Sequence, residues 1–302
     1  MNNFMDMLQT SWAGKRFVCV GLDPVYAKIP ECVRSKHSSK KGAIVEFCKE
    51  IVRATWRSAA SYKPNLAFFL AIGVEGHEAL IEVIQFIHAF VPGTPVILDT
   101  KDMDIGNTNM GYIEFTFAEC KADAVTVNPY LGMEAAQPFL DQKDKGIIVL
   151  CRTSNDGAGE FQDRLTVIDD PEEMKDLESF AIPASLTGHS IGLIRLYELV
   201  AYRVSRHWNK NHNCALVVGA TAPHELESVR KIVGNLPILI PGVGAQGGDL
   251  EKSVKAGKDS NGQGFVINLS RSILQASSGE NFSEAGGAEA KDANDKIIKY
   301  LN

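Results

Sequence analysis

Several familiar signatures are missing from this 302-residue chain. Its six cysteines (Cys19, Cys32, Cys48, Cys120, Cys151 and Cys214) form no C-x-x-C pair. That spacing argues against a zinc site or a disulfide framework. Cys19, Cys151 and Cys214 sit in apolar runs, as small buried hydrophobes do, and read as reduced thiols of a cytoplasmic protein. No apolar run reaches the ~18 residues of a membrane helix. Met1–Trp12 lacks a basic region followed by an apolar stretch, so no secretory signal is expected. No G-x-G-x-x-G opens the first βα unit and no G-K-[ST] loop is present, so no cofactor is expected. Positive charge is scarce: 31 Lys and Arg face 37 Asp and Glu, a net −6. Nucleic acid and anionic membrane surfaces, which want a basic partner, are therefore poor fits. A local basic pocket for one phosphate is still compatible.

What is present is ordinary globular material, 45% hydrophobic and 23% charged, which excludes a disordered chain. The length suits two domains of about 150 residues, or one barrel of the larger kind. Eight short apolar runs recur: Phe17–Leu22, Tyr62–Phe69, Pro95–Lys101, Ala124–Asn128, Gly146–Arg152, Cys214–Ala220, Pro237–Pro241 and Gly264–Leu269. Most are continuous rather than alternating, as in parallel strands covered on both faces. Amphipathic stretches lie between them, at Ala43–Ala59, His77–Phe90, Ser190–Trp208 and Pro223–Val233. In the first, Ile44, Phe47, Cys48, Ile51 and Ala54 recur at helical spacing. The alternation predicts an α/β fold, a (β/α)8 TIM barrel forming a single domain over residues 1–302. A doubly wound open sheet is the alternative. Residues 24–42 and 153–188 read as irregular insertions. Residues 278–289 read as a partly flexible stretch before a last helix at Lys291–Leu301.

In such a barrel the site lies at the C-terminal ends of the strands. The third run ends in Asp99-Thr100-Lys101, with Asp104 just beyond. Residues i and i+2 of a strand point the same way, so Asp99 and Lys101 share a face. Asp23 and Lys63 close two other runs. Acids and bases would then alternate across the mouth, each favouring the charge of its neighbour. After the seventh run, Gly242, Gly244, Gly247 and Gly248 leave backbone N–H groups able to approach an anion. Asp249–Ala256 reads as a short helix. The eighth run ends in Ser270-Arg271, and Gln246 adds an amide. Loops after the last two strands with a helix N-terminus commonly hold phosphate in barrels. An arginine can grip it with two N–H groups. The histidines read as structural. His77, His88, His189 and His224 fall in helical patterns, and His207 and His212 at a helix end and polar loop.

These residues, in this order, resemble the orotidine 5′-phosphate decarboxylase family, and its longer subgroup most. The resemblance is carried by Val20-Gly21-Leu22-Asp23-Pro24, Lys63-Pro64-Asn65, Leu98-Asp99 through Lys101, Asp104-Ile105-Gly106 with Thr108, Val127-Asn128-Pro129-Tyr130, Arg152-Thr153-Ser154-Asn155, Pro241 to Gly248, and Ser270-Arg271. It implies cofactor-independent decarboxylation of orotidine 5′-monophosphate (OMP) to UMP and CO2, the last step of de novo pyrimidine nucleotide synthesis, with no metal. It implies that Lys101 stabilises and protonates the C6 carbanion, and that Asp99 faces the departing carboxylate. Lys63 and Asp104 would complete the charge array. Asp104 and Thr108 would reach in from the partner subunit of a homodimer. Asp23 and Lys63 would bind the ribose and Ser154 would read the ring. Gln246 and Arg271 would bind the phosphate, with Gly244 and Ser270 allowing its approach. The glycine-rich loop and the segment from Thr153 are candidate lids. Two other readings stay open: a magnesium-dependent sugar-phosphate aldolase or decarboxylase of related pattern, and a barrel that binds nucleotide without turnover.

Overall fold

The computed structural model describes residues 3–244 and 246–301. Its strands, in chain order, are β1 (Val18–Leu22), β2 (Ala59–Pro64), β3 (Ile97–Leu98), β4 (Ala124–Val127), β5 (Gly146–Arg152), β6 (Leu165–Ile168), β7 (Ile182–Leu186), β8 (His189–Arg195), β9 (Cys214–Val218), β10 (Ile238–Pro241) and β11 (Phe265–Leu269). Eight of them form one parallel sheet in the order β2-β1-β11-β10-β9-β5-β4-β3. Parallel bridges Tyr62↔Val96 and Asn65↔Asp99 join β2 to the β3 segment and close the ring. The fold is the expected α/β barrel, not an open sheet. β1, β4 and β9 are buried along their whole length, which is why they read as unbroken apolar runs.

Helices surround the barrel. Lys40–Thr55 starts at Ser39, whose hydroxyl accepts the Gly42 N–H at 3.1 Å. Val74–Phe90 and Pro223–Val233 follow β2 and β9. An N-terminal helix, Phe4–Ala13, not foreseen from the sequence pattern, packs across the bottom of the barrel. Its Trp12 indole donates to the Phe265 carbonyl at 2.8 Å and its Ser11 hydroxyl to Ala60 at 2.9 Å. Gly146 is required beneath it, because a Cβ there would meet the Phe4 ring at 2.2 Å.

Four expectations need correcting. The second run is not strand throughout: β2 ends at Pro64, and Leu66–Leu70 is a short helix capped by the Asn65 side chain. Residues 153–188 are not featureless. β6 and β7 flank β8 in an antiparallel sheet with its own small core of Ile168, Leu177, Ile194 and Tyr202. Thr187 and Gly188 turn the β7–β8 hairpin with positive φ at both positions, the geometry a two-residue hairpin favours. β8 in turn takes the first part of the supposed helix at Ser190–Trp208, including His189; helix begins only at Leu196. Finally, only residues 278–281 precede the last helix as an irregular stretch; 282–289 belong to it, since Phe282–Leu301 is one continuous helix. Its glycines serve close packing: a Cβ on Gly287 would lie 2.8 Å from the Ala54 carbonyl oxygen.

Candidate active site

Lys63 stands at the end of β2 and Asp99 just past β3, so the β2–β3 seam brings them together. Lys63 Nζ donates to Asp99 Oδ2 at 2.7 Å, and both residues are buried. Lys101 Nζ donates to Asp99 Oδ1 at 2.6 Å from the solvent side. The Thr126 hydroxyl on β4 donates to the same oxygen at 2.8 Å, and the Asn65 amide reaches Oδ2 at 3.5 Å. Lys101 has φ of +62°, a left-handed backbone that is costly for a side-chain-bearing residue and is found where the surroundings impose it.

Charge follows geometry. Burial would raise the Asp99 pKa, but the Lys63 and Lys101 ammonium groups overcome it and hold the carboxyl well below the usual carboxylate range. Burial also works against charge on Lys63, yet the Asp99 and Asp23 carboxylates raise its pKa. Asp99 and Lys63 therefore form an ionised pair across neutral pH. Removing one partner would leave an uncompensated buried charge, at a cost of about 3–5 kcal/mol.

A cleft of about 480 Å3 opens beside the array, lined by Asp23, Pro241, Gln246, Asn268, Ser270 and Arg271 among others. Three buried atoms on its wall, Asp23 Oδ1, Asn268 Oδ1 and Ser270 Oγ, have no hydrogen-bond partner among the described residues. Buried polar atoms without partners are uncommon and mark places where a ligand's groups can pair. Ser270 comes this close because Gly21 faces it; a Cβ there would meet Ser270 Cβ at 2.8 Å. Ser154 reaches the same cleft rim from the loop after β5. The Gly242 site, with φ of +98°, is pressed by both Gln246 and Ser154, at 2.8 and 3.0 Å from where its Cβ would stand. Arg152, paired through two nitrogens with Asp163 at 2.7 and 3.0 Å, anchors that loop to the small sheet.

The structure does not bring every expected residue together. Asp104 is outside the array: its carboxylate accepts the Ile105 N–H at 2.7 Å at the start of the helix Gly106–Ile113. Thr108 is exposed on that helix. Three of the four glycine N–H groups are also not free as supposed. Gly244 donates to Gly248 O at 3.0 Å, Gly247 to Gly244 O at 2.8 Å, and Gly248 to Gly242 O at 3.1 Å. The loop closes on itself and satisfies these three donors internally. The helix Leu250–Gly257 has its N-terminus occupied by the Asp249 carboxylate, an anion of its own. Arg271 on the cleft wall, beside the unpaired Ser270 hydroxyl, is the better anion contact. Asn268, on the cleft wall, and Thr126, on Asp99, were given no role from sequence; each is a polar residue within an apolar run.

Fold and site together define a (β/α)8-barrel enzyme whose chemistry is assembled at the C-terminal ends of its strands. The chain belongs to the "Orotidine 5′-phosphate decarboxylase / HUMPS" family, whose model matches residues 16–285. The orotidine 5′-phosphate decarboxylase of Azoarcus sp. (strain BH72) is 42% identical over 299 residues, 99% of either chain. The solved Leishmania donovani OMP decarboxylase is 35% identical with a TM-score of 0.77, covering 99% of this chain and 98% of that one. The solved Leishmania donovani UMP synthase is 37% identical with a TM-score of 0.80; this chain is fully covered but spans only 57% of that longer protein. Among the described residues no helix is long and apolar enough to cross a membrane.

Proposed function

We propose the following division of labour for the reaction of this enzyme, the decarboxylation of OMP to UMP and CO2 in pyrimidine nucleotide synthesis. The phosphate lies in the cleft against Arg271, Gln246 and Ser270. Asp23 and Lys63 take the ribose hydroxyls, and Ser154 reads the pyrimidine edge. This places C6 and its carboxylate over Asp99 and Lys101. The C6–carboxylate bond breaks and CO2 leaves. Its electron pair stays on C6, where no adjacent group can delocalise it. The fixed Lys101 ammonium stabilises that charge and then gives its proton to C6. Binding of the phosphate, remote from C6, supplies energy for bringing the rim loops over the substrate.

The observation that carries this reading is the Lys63–Asp99–Lys101 array, complete within one chain. Both Asp99 oxygens face an ammonium group, so a cation at this carboxylate would have to displace a lysine.

Asp104 and Thr108 join the site from a second copy across a two-fold interface. Supporting this, the surface that carries them also exposes Ile105, Met110, Tyr130 and Leu131, an apolar group that a partner would cover. The test is the loss of OMP absorbance on adding purified protein, with and without EDTA. Equal rates are expected. Loss of activity with EDTA would favour a metal-dependent relative, and no turnover with UMP still bound would leave a nucleotide-binding barrel.

A further inference from the structure

The middle of β4 reads Ala124-Val125-Thr126-Val127, and Thr126 is its single polar residue, 1% exposed. A hydroxyl has one proton to give and two lone pairs to fill. All three capacities of Thr126 are used, and all three on the segment from Asp99 to Lys101. Its Oγ1 accepts the Thr100 N–H at 3.1 Å and the Lys101 N–H at 3.1 Å. Those two groups can only donate, so the hydroxyl proton is forced toward Asp99 Oδ1, 2.8 Å away. The Thr126 carbonyl adds to the hold: it accepts from Lys101 N–H at 3.0 Å and from the Thr100 hydroxyl at 3.2 Å.

We propose that Thr126 is a positioning residue for the decarboxylation, fixing through one hydroxyl both the Asp99 carboxylate and the left-handed backbone of Lys101. Two constraints meet there. The Asp99 carboxylate could rotate about its side chain while keeping Lys63, but the Thr126 proton selects the rotamer that also presents Oδ1 to Lys101. The Lys101 backbone, at φ of +62°, places its side chain on the array side of the segment and is tied down at its own N–H. Misplacing a reacting group by about 1 Å is enough to cost a large factor in rate. Thr126 is 1% exposed and spends its hydroxyl on the Asp99–Lys101 segment, so its loss should be felt in turnover and not in nucleotide affinity.

The inference rests on the decarboxylase reading, and the experiment separates the two. Wild type, Thr126→Val and Thr126→Ser are compared in kcat and KM for OMP, in Kd for UMP, and in thermal midpoint. Valine keeps the branched shape and removes the hydroxyl; serine keeps the hydroxyl. The expectation is a fall in kcat of about tenfold to hundredfold for Thr126→Val. UMP affinity should stay within about twofold, and Thr126→Ser should recover kcat to within about threefold of wild type. A role in folding alone would lower the thermal midpoint without moving the kcat of the folded fraction. That outcome, a Val variant with wild-type kcat, or equal losses in the Val and Ser variants would overturn the role of Thr126. If the wild-type chain itself failed to consume OMP, the decarboxylase reading would fall and this inference with it.

Discussion

On the β2–β4 side of the barrel mouth, Lys63, Asp99 and Lys101 are joined by short ionic hydrogen bonds, whereas on the β1–β10–β11 side Asp23 Oδ1, Asn268 Oδ1 and Ser270 Oγ have no hydrogen-bond partner among the described residues. The first side is finished on folding. Its charges have been desolvated and oriented in advance, so little reorganisation is needed when charge develops on substrate. The second side is completed by what binds. Its unpaired atoms carry a desolvation cost that a ribose hydroxyl or phosphate oxygen can offset. The difference teaches how one site can separate rate from affinity: in the proposed division of labour, fixed charge acts on the bond that breaks, and unfilled hydrogen bonds act on the parts that do not.

That contrast can be broken most severely at Lys101. Lys101→Ala should lower kcat by at least about a thousandfold while UMP still binds within a few-fold of wild type. A parallel loss of UMP affinity would mean that the two sides are not separable. Arg271→Ala comes next. It should raise KM for OMP by about tenfold or more, as loss of a charge-assisted contact does. If kcat falls in the same proportion, phosphate contacts also drive closure of the rim.

The shared-site reading predicts complementation. Lys101→Ala and Asp104→Asn chains, each nearly inactive alone, should regain up to about a quarter of wild-type activity when mixed and allowed to exchange subunits. No recovery, with exchange shown by mass, would confine the site to one chain.

The array also predicts an acid signature. Asp99 has its pKa lowered in the fold, so its contribution to stability is present above the unfolded value near 3.9 and is lost as pH falls below it. The thermal-midpoint gap between wild type and Asp99→Asn should be largest near neutral pH and shrink below about pH 4. A gap that widened in acid would reverse the assigned direction. Smallest of all, Asp163→Asn should loosen the loop that carries Ser154. KM should rise about two- to fivefold with kcat nearly unchanged, the scale of one partly exposed ion pair.

Much of this was legible in the chain itself, and the unread parts have physical causes. All eight barrel strands announced themselves because strands buried on both faces must be apolar throughout. β8 did not. It faces a small core on one side only, and Ile191 and Ile194 happen to stand at helical spacing, so its period was misread. The glycines and alanines after Gly286 looked like a loose segment because composition cannot distinguish freedom from close packing. Within the site, Lys63, Asp99 and Lys101 followed from strand ends and two-residue alternation. Asp104, expected from a partner subunit, lies beyond the last strand residue, where that alternation no longer governs direction, and a single chain cannot bring it to the array. Thr126 was invisible for a different reason: its importance lies in three hydrogen bonds to another strand's continuation, and a lone threonine in a strand says nothing of its partners.

The closure of the barrel gives the Lys63–Asp99 pair a second meaning. β3 is two residues long, and the ring is completed by two bridges, one of which is Asn65↔Asp99. The acid is thus also a rivet in the hoop's narrowest seam, with its main-chain N–H on Pro64 and its carboxylate on Lys63. Replacing its side chain would release the Lys63 half of that hold and leave the main-chain half in place, so the hoop would slacken at the seam without opening.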